Sequence, residues 1–140
     1  QWAAKLGGCP LAFIHKTRDI TAPNRSVANR VVGEVDGRTC ILTDDLIDTG
    51  GTIAEAVRVL LAAGAKDVIV AATHGVLSHP AGQRLQECGA REIVVTDTLP
   101  ISEDRQFEKL TVLSIAPLLA RAIREVFDDG SVTSLFDGAS

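Results

Sequence analysis

Apolar residues along this chain fall into short continuous runs, separated by stretches in which they recur every three or four positions. That alternation predicts strands handing over to helices. Residues 10–15 (PLAFIH) follow a Gly-Gly break and read as a strand. From 16 to 25 the text turns polar and irregular, and Pro23 excludes a regular helix interior, so a mobile loop is expected there. Residues 27–35 and 38–42 are β-branched runs flanking Asp36-Gly37, a dipeptide typical of tight turns. They are expected to pair as an antiparallel hairpin.

The remainder repeats one cycle. After an apolar run ending near Thr43, the residues Ile53, Val57, Leu60 and Leu61 recur at helical spacing and Gly64 is the expected stop. Strand 67–73 (DVIVAAT), helix 80–89 (PAGQRLQECG) and strand 92–98 (EIVVTDT) follow. A short strand at 110–115 leads into a helix at 117–127. Pro117 stands in its first turn, with Leu118, Leu119, Ala122, Ile123, Val126 and Phe127 on one side. The predicted class is α/β: a mostly parallel sheet with helices on both faces and right-handed crossovers, plus a β-hairpin or flexible-loop flap near the N-terminus.

Composition narrows the classes. A chain of 140 residues, 46% hydrophobic and 23% charged, suits one globular domain with a single core. No apolar run approaches the roughly 20 residues that cross a bilayer, and no signal-peptide pattern opens the chain, so a cytoplasmic protein without a membrane partner is expected. The net charge of −4 gives no basic field for nucleic acid, so any bound anion must be held locally. Cys9, Cys40 and Cys88 lack metal-ligand spacing and read as small apolar residues in a reducing compartment. The chain has no Met and opens on QWAAKLGG, which reads as the end of a helix and suggests a piece of a longer polypeptide.

The chemistry concentrates in residues 41–54, ILTDDLIDTGGTIA. In an open α/β sheet, ligands sit beyond the carboxyl ends of the strands, which is where these acids begin. The backbone N–H groups of about residues 49–52 would be unpaired at the positive end of a helix, forming an anion seat suited to phosphate. Gly50 and Gly51 allow a tight curl, and Thr49 and Thr52 add hydroxyl donors. Carboxylates beside a phosphate repel it unless each faces another part of the ligand. A sugar phosphate resolves the conflict, with Asp44 and Asp45 accepting from vicinal hydroxyls directly or through Mg²⁺. Leu46 and Ile47, between the acids, are expected to pack inward. Helix capping by Asp48 or Thr49 would need only one such residue. The stretch matches neither a Walker A loop nor a dinucleotide fingerprint.

TDDLIDTGGT resembles the phosphoribosyl diphosphate binding motif of the type I phosphoribosyltransferase fold. Phosphoribosyltransferases, ribose-phosphate diphosphokinases and non-catalytic sensors share that motif. Three further stretches resemble the diphosphokinases. LAFIHKTRD is similar to their strand and catalytic loop, with Lys16 and Arg18 as the loop cations. AATHGVLSHPAGQRL is similar to the family's Thr-His-Gly stretch, in which His74 and His79 read as parts of a strand-end turn. LSIAPLLARAIREVFDDGSVTSLF resembles the C-terminal helix and tail. The loop departs from the family in having Thr17 between its cations and Asp19 after them.

The resemblance implies the C-terminal domain of a two-domain enzyme, with the ATP-binding domain and a metal ligand absent from these residues. The parent would transfer diphosphate from ATP to ribose 5-phosphate with Mg²⁺, giving phosphoribosyl diphosphate and AMP. Lys16 and Arg18 would stabilise the transition state, Arg18 also touching the sugar phosphate. Asp48, Thr49, Gly50, Gly51 and Thr52 would hold the 5-phosphate, and Asp44 and Asp45 the ribose hydroxyls. Ser131, Val132 and Phe136 would contribute to an effector site between subunits of a hexamer. The alternatives are a phosphoribosyltransferase, which needs a base pocket in a chain without Tyr, and a regulatory subunit that binds without turnover.

Overall fold

A computed structural model describes residues 2–17 and 28–135. The chain runs α1 (Trp2–Lys5), β1 (Phe13–Thr17), β2 (Ala28–Val32), β3 (Thr39–Ile47), α2 (Gly51–Ala62), β4 (Asp67–Gly75), α3 (Ala81–Glu87), β5 (Glu92–Thr96), β6 (Leu110–Leu113) and α4 (Ala116–Phe127). Short 3₁₀ turns lie at Glu103–Arg105 and Val132–Leu135. The predicted class is the one observed: a parallel sheet of order β3-β4-β5-β6 flanked by helices, beside a separate antiparallel pair, β1-β2.

Alternation builds the core. Val68, Val70 and Ala72 on β4 and Ile93 and Val95 on β5 are buried on one face of the sheet. Against them lie Ile53, Ala54, Val57 and Leu60, one stripe of α2, and Ala81 and Leu85 of α3. Each fully buried branched side chain contributes about 1.5–3 kcal/mol relative to exposure. α2 ends as the sequence predicts: Gly64 has φ 92°, its N–H donates to Leu61 O at 3.0 Å, and Ala65 N–H donates to Leu60 O at 3.1 Å.

The antiparallel hairpin expected across Asp36-Gly37 is not formed. A turn is present, with Gly37 at φ 67° and Arg38 N–H donating to Val35 O at 3.1 Å, but it joins two different sheets. The run before it pairs antiparallel with β1, Phe13 opposite Val32 and Lys16 opposite Asn29. The run after it pairs parallel with β4, from Thr39 opposite Asp67 to Ile47 opposite Gly75. Gly33 marks the departure. At φ 119° it lies so close to the preceding chain that a Cβ would stand 2.9 Å from Ala12 Cα, and Val35 then enters the core.

α4 forms with Pro117 in its first turn, yet none of its residues is buried. Its apolar side stays open, Ile123 being 69% and Phe127 87% exposed. No helix among the described residues is long and apolar enough to cross a membrane.

Candidate phosphate-binding site

The site grows from the carboxyl end of β3. Ile47, 1% exposed, anchors that end, and its carbonyl accepts from the N–H groups of Val76 and Leu77 at 3.0 and 3.1 Å. The loop after β4 is thereby tied beside it. Gly50 at φ 70° turns the chain into α2, whose first backbone bond runs from Ala54 N–H to Gly50 O at 2.9 Å. No side chain caps this helix, so the capping role for Asp48 or Thr49 is absent. The N–H groups of Gly51, Thr52 and Ile53 have no acceptor within the helix and stand at its positive end.

These residues border a cavity of about 240 Å³, lined by Asp44, Leu46, Ile47, Asp48, Thr49, Gly50, Gly51, Thr52 and Ile53. Six of the expected site residues, Asp44, Asp48, Thr49, Gly50, Gly51 and Thr52, are therefore brought together. Asp45 is not among the lining residues. Its backbone N–H instead donates to Asp44 Oδ1 at 2.8 Å, orienting that carboxylate. Leu46 departs from the inward packing expected of it. It is 42% exposed and walls the cavity, while Ile47 alone goes into the core.

A larger cleft of about 550 Å³ lies at the other end of β3, between Val31 and Ala63. It borders the amino ends of the strands, away from the ligand crevice of α/β sheets. Its charged residues include Arg38 and Glu34, already paired at 3.2 Å.

Lys16 is paired through its main chain near the end of β1. Its side chain, Arg18 and Phe136 lie outside the described residues. Ser131 bonds with Thr133 through their hydroxyls and Val132 opens the last 3₁₀ turn; neither borders the cavity. His74 is half-buried, with Nδ1 2.8 Å from Thr98 Oγ1, and Thr96 Oγ1 donates to Thr73 O at 2.6 Å. This histidine shapes the strand end, as its sequence position suggests. Among the described residues no group of three or more His, Cys, Asp or Glu side chains is placed to hold a metal ion. Mg²⁺ needs only one or two carboxylates when a substrate's phosphates and water complete its shell, and Asp44 at the cavity wall fits that limited demand.

Two residues on α3 belong to the site and were not singled out from the sequence. Arg84 Nη1 donates to Thr49 O at 3.2 Å, and Leu85, fully buried, lies directly under Gly50. Thirty-five positions separate Arg84 from Thr49, and only the packing of α3 beside α2 joins them.

A parallel sheet whose first strand ends in a glycine-turned helix start, with carboxylates on the cavity wall, defines an α/β domain with a crevice at the carboxyl end of its first strand. The model of the phosphoribosyl synthetase-associated domain matches residues 15–137. The chain belongs to that family. It is 70% identical over 138 residues to the ribose-phosphate pyrophosphokinase of Mycobacterium tuberculosis, covering 99% of this chain and 42% of that enzyme. It is 69% identical over 137 residues to the enzyme of the same description from Bifidobacterium longum, covering 98% of this chain and 40% of that protein. The crystal structure of phosphoribosylpyrophosphate synthetase from Mycobacterium smegmatis superposes with a TM-score of 0.82 at 69% identity, over 92% of this chain and 40% of the other. The chain thus spans about two fifths of its relatives' length. The C-terminal placement within the parent rests on the sequence resemblance alone.

Proposed function

We propose that this chain is the ribose 5-phosphate binding domain of a ribose-phosphate diphosphokinase. The observation that carries the reading is the convergence of Asp44, Asp48 and the Thr49–Thr52 backbone on one cavity at a helix start, in a chain of this family. The 5-phosphate takes the N–H groups of the loop and the hydroxyls of Thr49 and Thr52, while Asp44 accepts from the ribose hydroxyls.

In this reading the anomeric hydroxyl of ribose 5-phosphate attacks the β-phosphorus of ATP. A new bond forms from the sugar oxygen to that phosphorus, the bond to the α,β-bridging oxygen breaks, and AMP leaves with that oxygen. The hydroxyl proton is released to solvent. Positioning and charge neutralisation supply most of the acceleration in such transfers. The domain supplies the positioning. Lys16 and Arg18 supply cationic donors to the transferring group, and Mg²⁺ supplies charge on the nucleotide phosphates. The rest of the parent completes the ATP site, so the 140 residues alone have no turnover.

The same reading includes a cytoplasmic homo-oligomer, hexameric as in the family resembled, with Ser131, Val132 and Phe136 at an effector site between subunits. The open apolar side of α4 supports association with further protein surface.

The test is ³¹P NMR of the intact parent with MgATP, ribose 5-phosphate and inorganic phosphate. Joint appearance of AMP and a diphosphoryl signal on ribose C1 is expected. Intact ATP with ribose 5-phosphate still bound would overturn the diphosphokinase and leave a sensor or a transferase.

A further inference from the structure

We infer that Arg84 is a positioning residue for the phosphate loop, and that its guanidinium holds the Thr49–Gly50 peptide in the orientation that phosphate binding requires. The inference rests on the ribose 5-phosphate reading of the cavity and deepens it.

Arg84 Nη1 donates to the Thr49 carbonyl at 3.2 Å. In a planar trans peptide the C=O and the following N–H point in opposite directions. A Thr49 carbonyl drawn toward α3 therefore turns the Gly50 N–H away from α3, where it can join the donors of the loop. The αL conformation of Gly50, at φ 70°, is what makes this peptide orientation accessible.

The contact cannot be replaced by capping, because no side chain caps α2. A Cβ on Gly51 would lie 3.7 Å from Arg84 Nη1 and 4.0 Å from Thr49 Oγ1, so the guanidinium rests beside the bare Gly51 backbone. Leu85, the next residue on α3, fills the space beneath Gly50. One turn of α3 thus supplies both the floor of the loop and the donor that fixes its peptide plane.

Charge acts in the same direction. Asp44 and Asp48 line the cavity and oppose an incoming dianion. Among the described residues, Arg84 is the cation whose hydrogen bond reaches the loop. Arginine carries five N–H donors in a rigid fork, so one can hold Thr49 while the charge offsets the carboxylates.

The experiment uses the intact parent enzyme, with ribose 5-phosphate as the probe in titration calorimetry. Arg84→Met removes charge and donor while keeping the stem; Arg84→Gln keeps a donor without charge. About a tenfold or greater weakening is expected for Arg84→Met, the scale of one charge-assisted hydrogen bond, with partial recovery in Arg84→Gln. The KM for ATP should stay within about twofold, which separates loop positioning from general destabilisation. If the wild type binds ribose 5-phosphate and both variants bind equally well, this inference is overturned and the site reading stands. If the wild type does not bind it, the site reading falls and this inference with it. Should Arg84→Met lose its far-UV circular dichroism, Arg84→Gln alone decides: wild-type affinity overturns the inference, and weakened binding with an unchanged ATP KM supports it.

Discussion

Gly50 sits directly on Leu85: a Cβ built on the glycine would come within 3.1 Å of Leu85 Cγ and 3.3 Å of its Cδ2. Leu85 is fully buried and Gly50 is at φ 70°, so neither partner can yield cheaply. Gly50→Ala is therefore expected to destabilise the domain by about 1–2 kcal/mol from the left-handed backbone alone. The steric conflict adds to this and moves the loop. Titration of the intact parent with ribose 5-phosphate should show affinity lowered by about tenfold or more, the cost of lifting several loop donors off one phosphate. Unchanged affinity would mean that the loop's hold on the phosphate does not depend on its seat over Leu85.

What the sequence could and could not foretell follows from this contact. The strand runs themselves were readable because they are short, local and continuously apolar. The loop's tight turn was readable because two glycines between a strand run and a helix pattern allow a left-handed residue, which Gly50 is at φ 70°. Partners distant in sequence were not. The run 27–35 carried the same β-branched signature for either partner, and its pairing with β1 rather than β3 depends on Gly33 passing close to Ala12. Leu46 looked like its neighbour Ile47, yet Leu46 is 42% exposed at the cavity wall while Ile47 is buried in the core. Arg84 and Leu85 had no local signal at all, being ordinary helix residues until α3 packs beside α2.

The two adjacent acids should separate under mutation. Asp44 lines the cavity and Asp45 does not, while the bond between them uses the Asp45 backbone N–H, which a side-chain change leaves in place. Asp44→Asn replaces a charged acceptor for ribose hydroxyls with a neutral one. A loss of about 1.5–3 kcal/mol, roughly 10- to 100-fold in kcat/KM for ribose 5-phosphate, is expected. Asp45→Asn should stay within about threefold, the range of surface substitutions. Equal losses in steady-state assays of the two parent variants would refute the assignment of ribose contacts to Asp44.

Asp97 ties β5 to α4. The Ser114 hydroxyl, and then the Ile115 N–H at 2.8 Å from Oδ1, hold its carboxyl below the usual carboxylate range. A group whose pKa is depressed on folding stabilises at pH values above its unfolded pKa. That contribution disappears as the pH falls through the folded-state value. At neutral pH, Asp97→Asn should speed amide exchange in the segment around Ile115, measured by mass spectrometry and corrected for intrinsic rates. The difference from wild type should shrink only in stronger acid, as the pH falls through the lowered folded-state value of Asp97 and the wild-type carboxyl also becomes neutral. A difference that persists undiminished into acid would show that ionisation of Asp97 is not what secures the start of α4.

The open side of α4 makes the last prediction. Leu119, Ile123, Val126 and Phe127 are each more than half exposed, and no α4 residue is buried. Contiguous apolar surface of this kind drives association in water, at roughly 25 cal/mol for each Å² covered. Expressed by itself, the 140-residue chain should self-associate as its concentration rises, visible in sedimentation velocity as a growing weight-average coefficient. Ile123→Glu and Phe127→Glu place charge on that side without touching the core or the phosphate loop, so both should lower self-association while leaving far-UV circular dichroism unchanged. In the intact parent the same changes should weaken assembly if α4 meets another subunit. They should instead lower the melting temperature without altering assembly if it meets another part of the same polypeptide. No change in either quantity would show that α4 remains solvent-exposed in the parent, and would remove its support for the oligomeric reading.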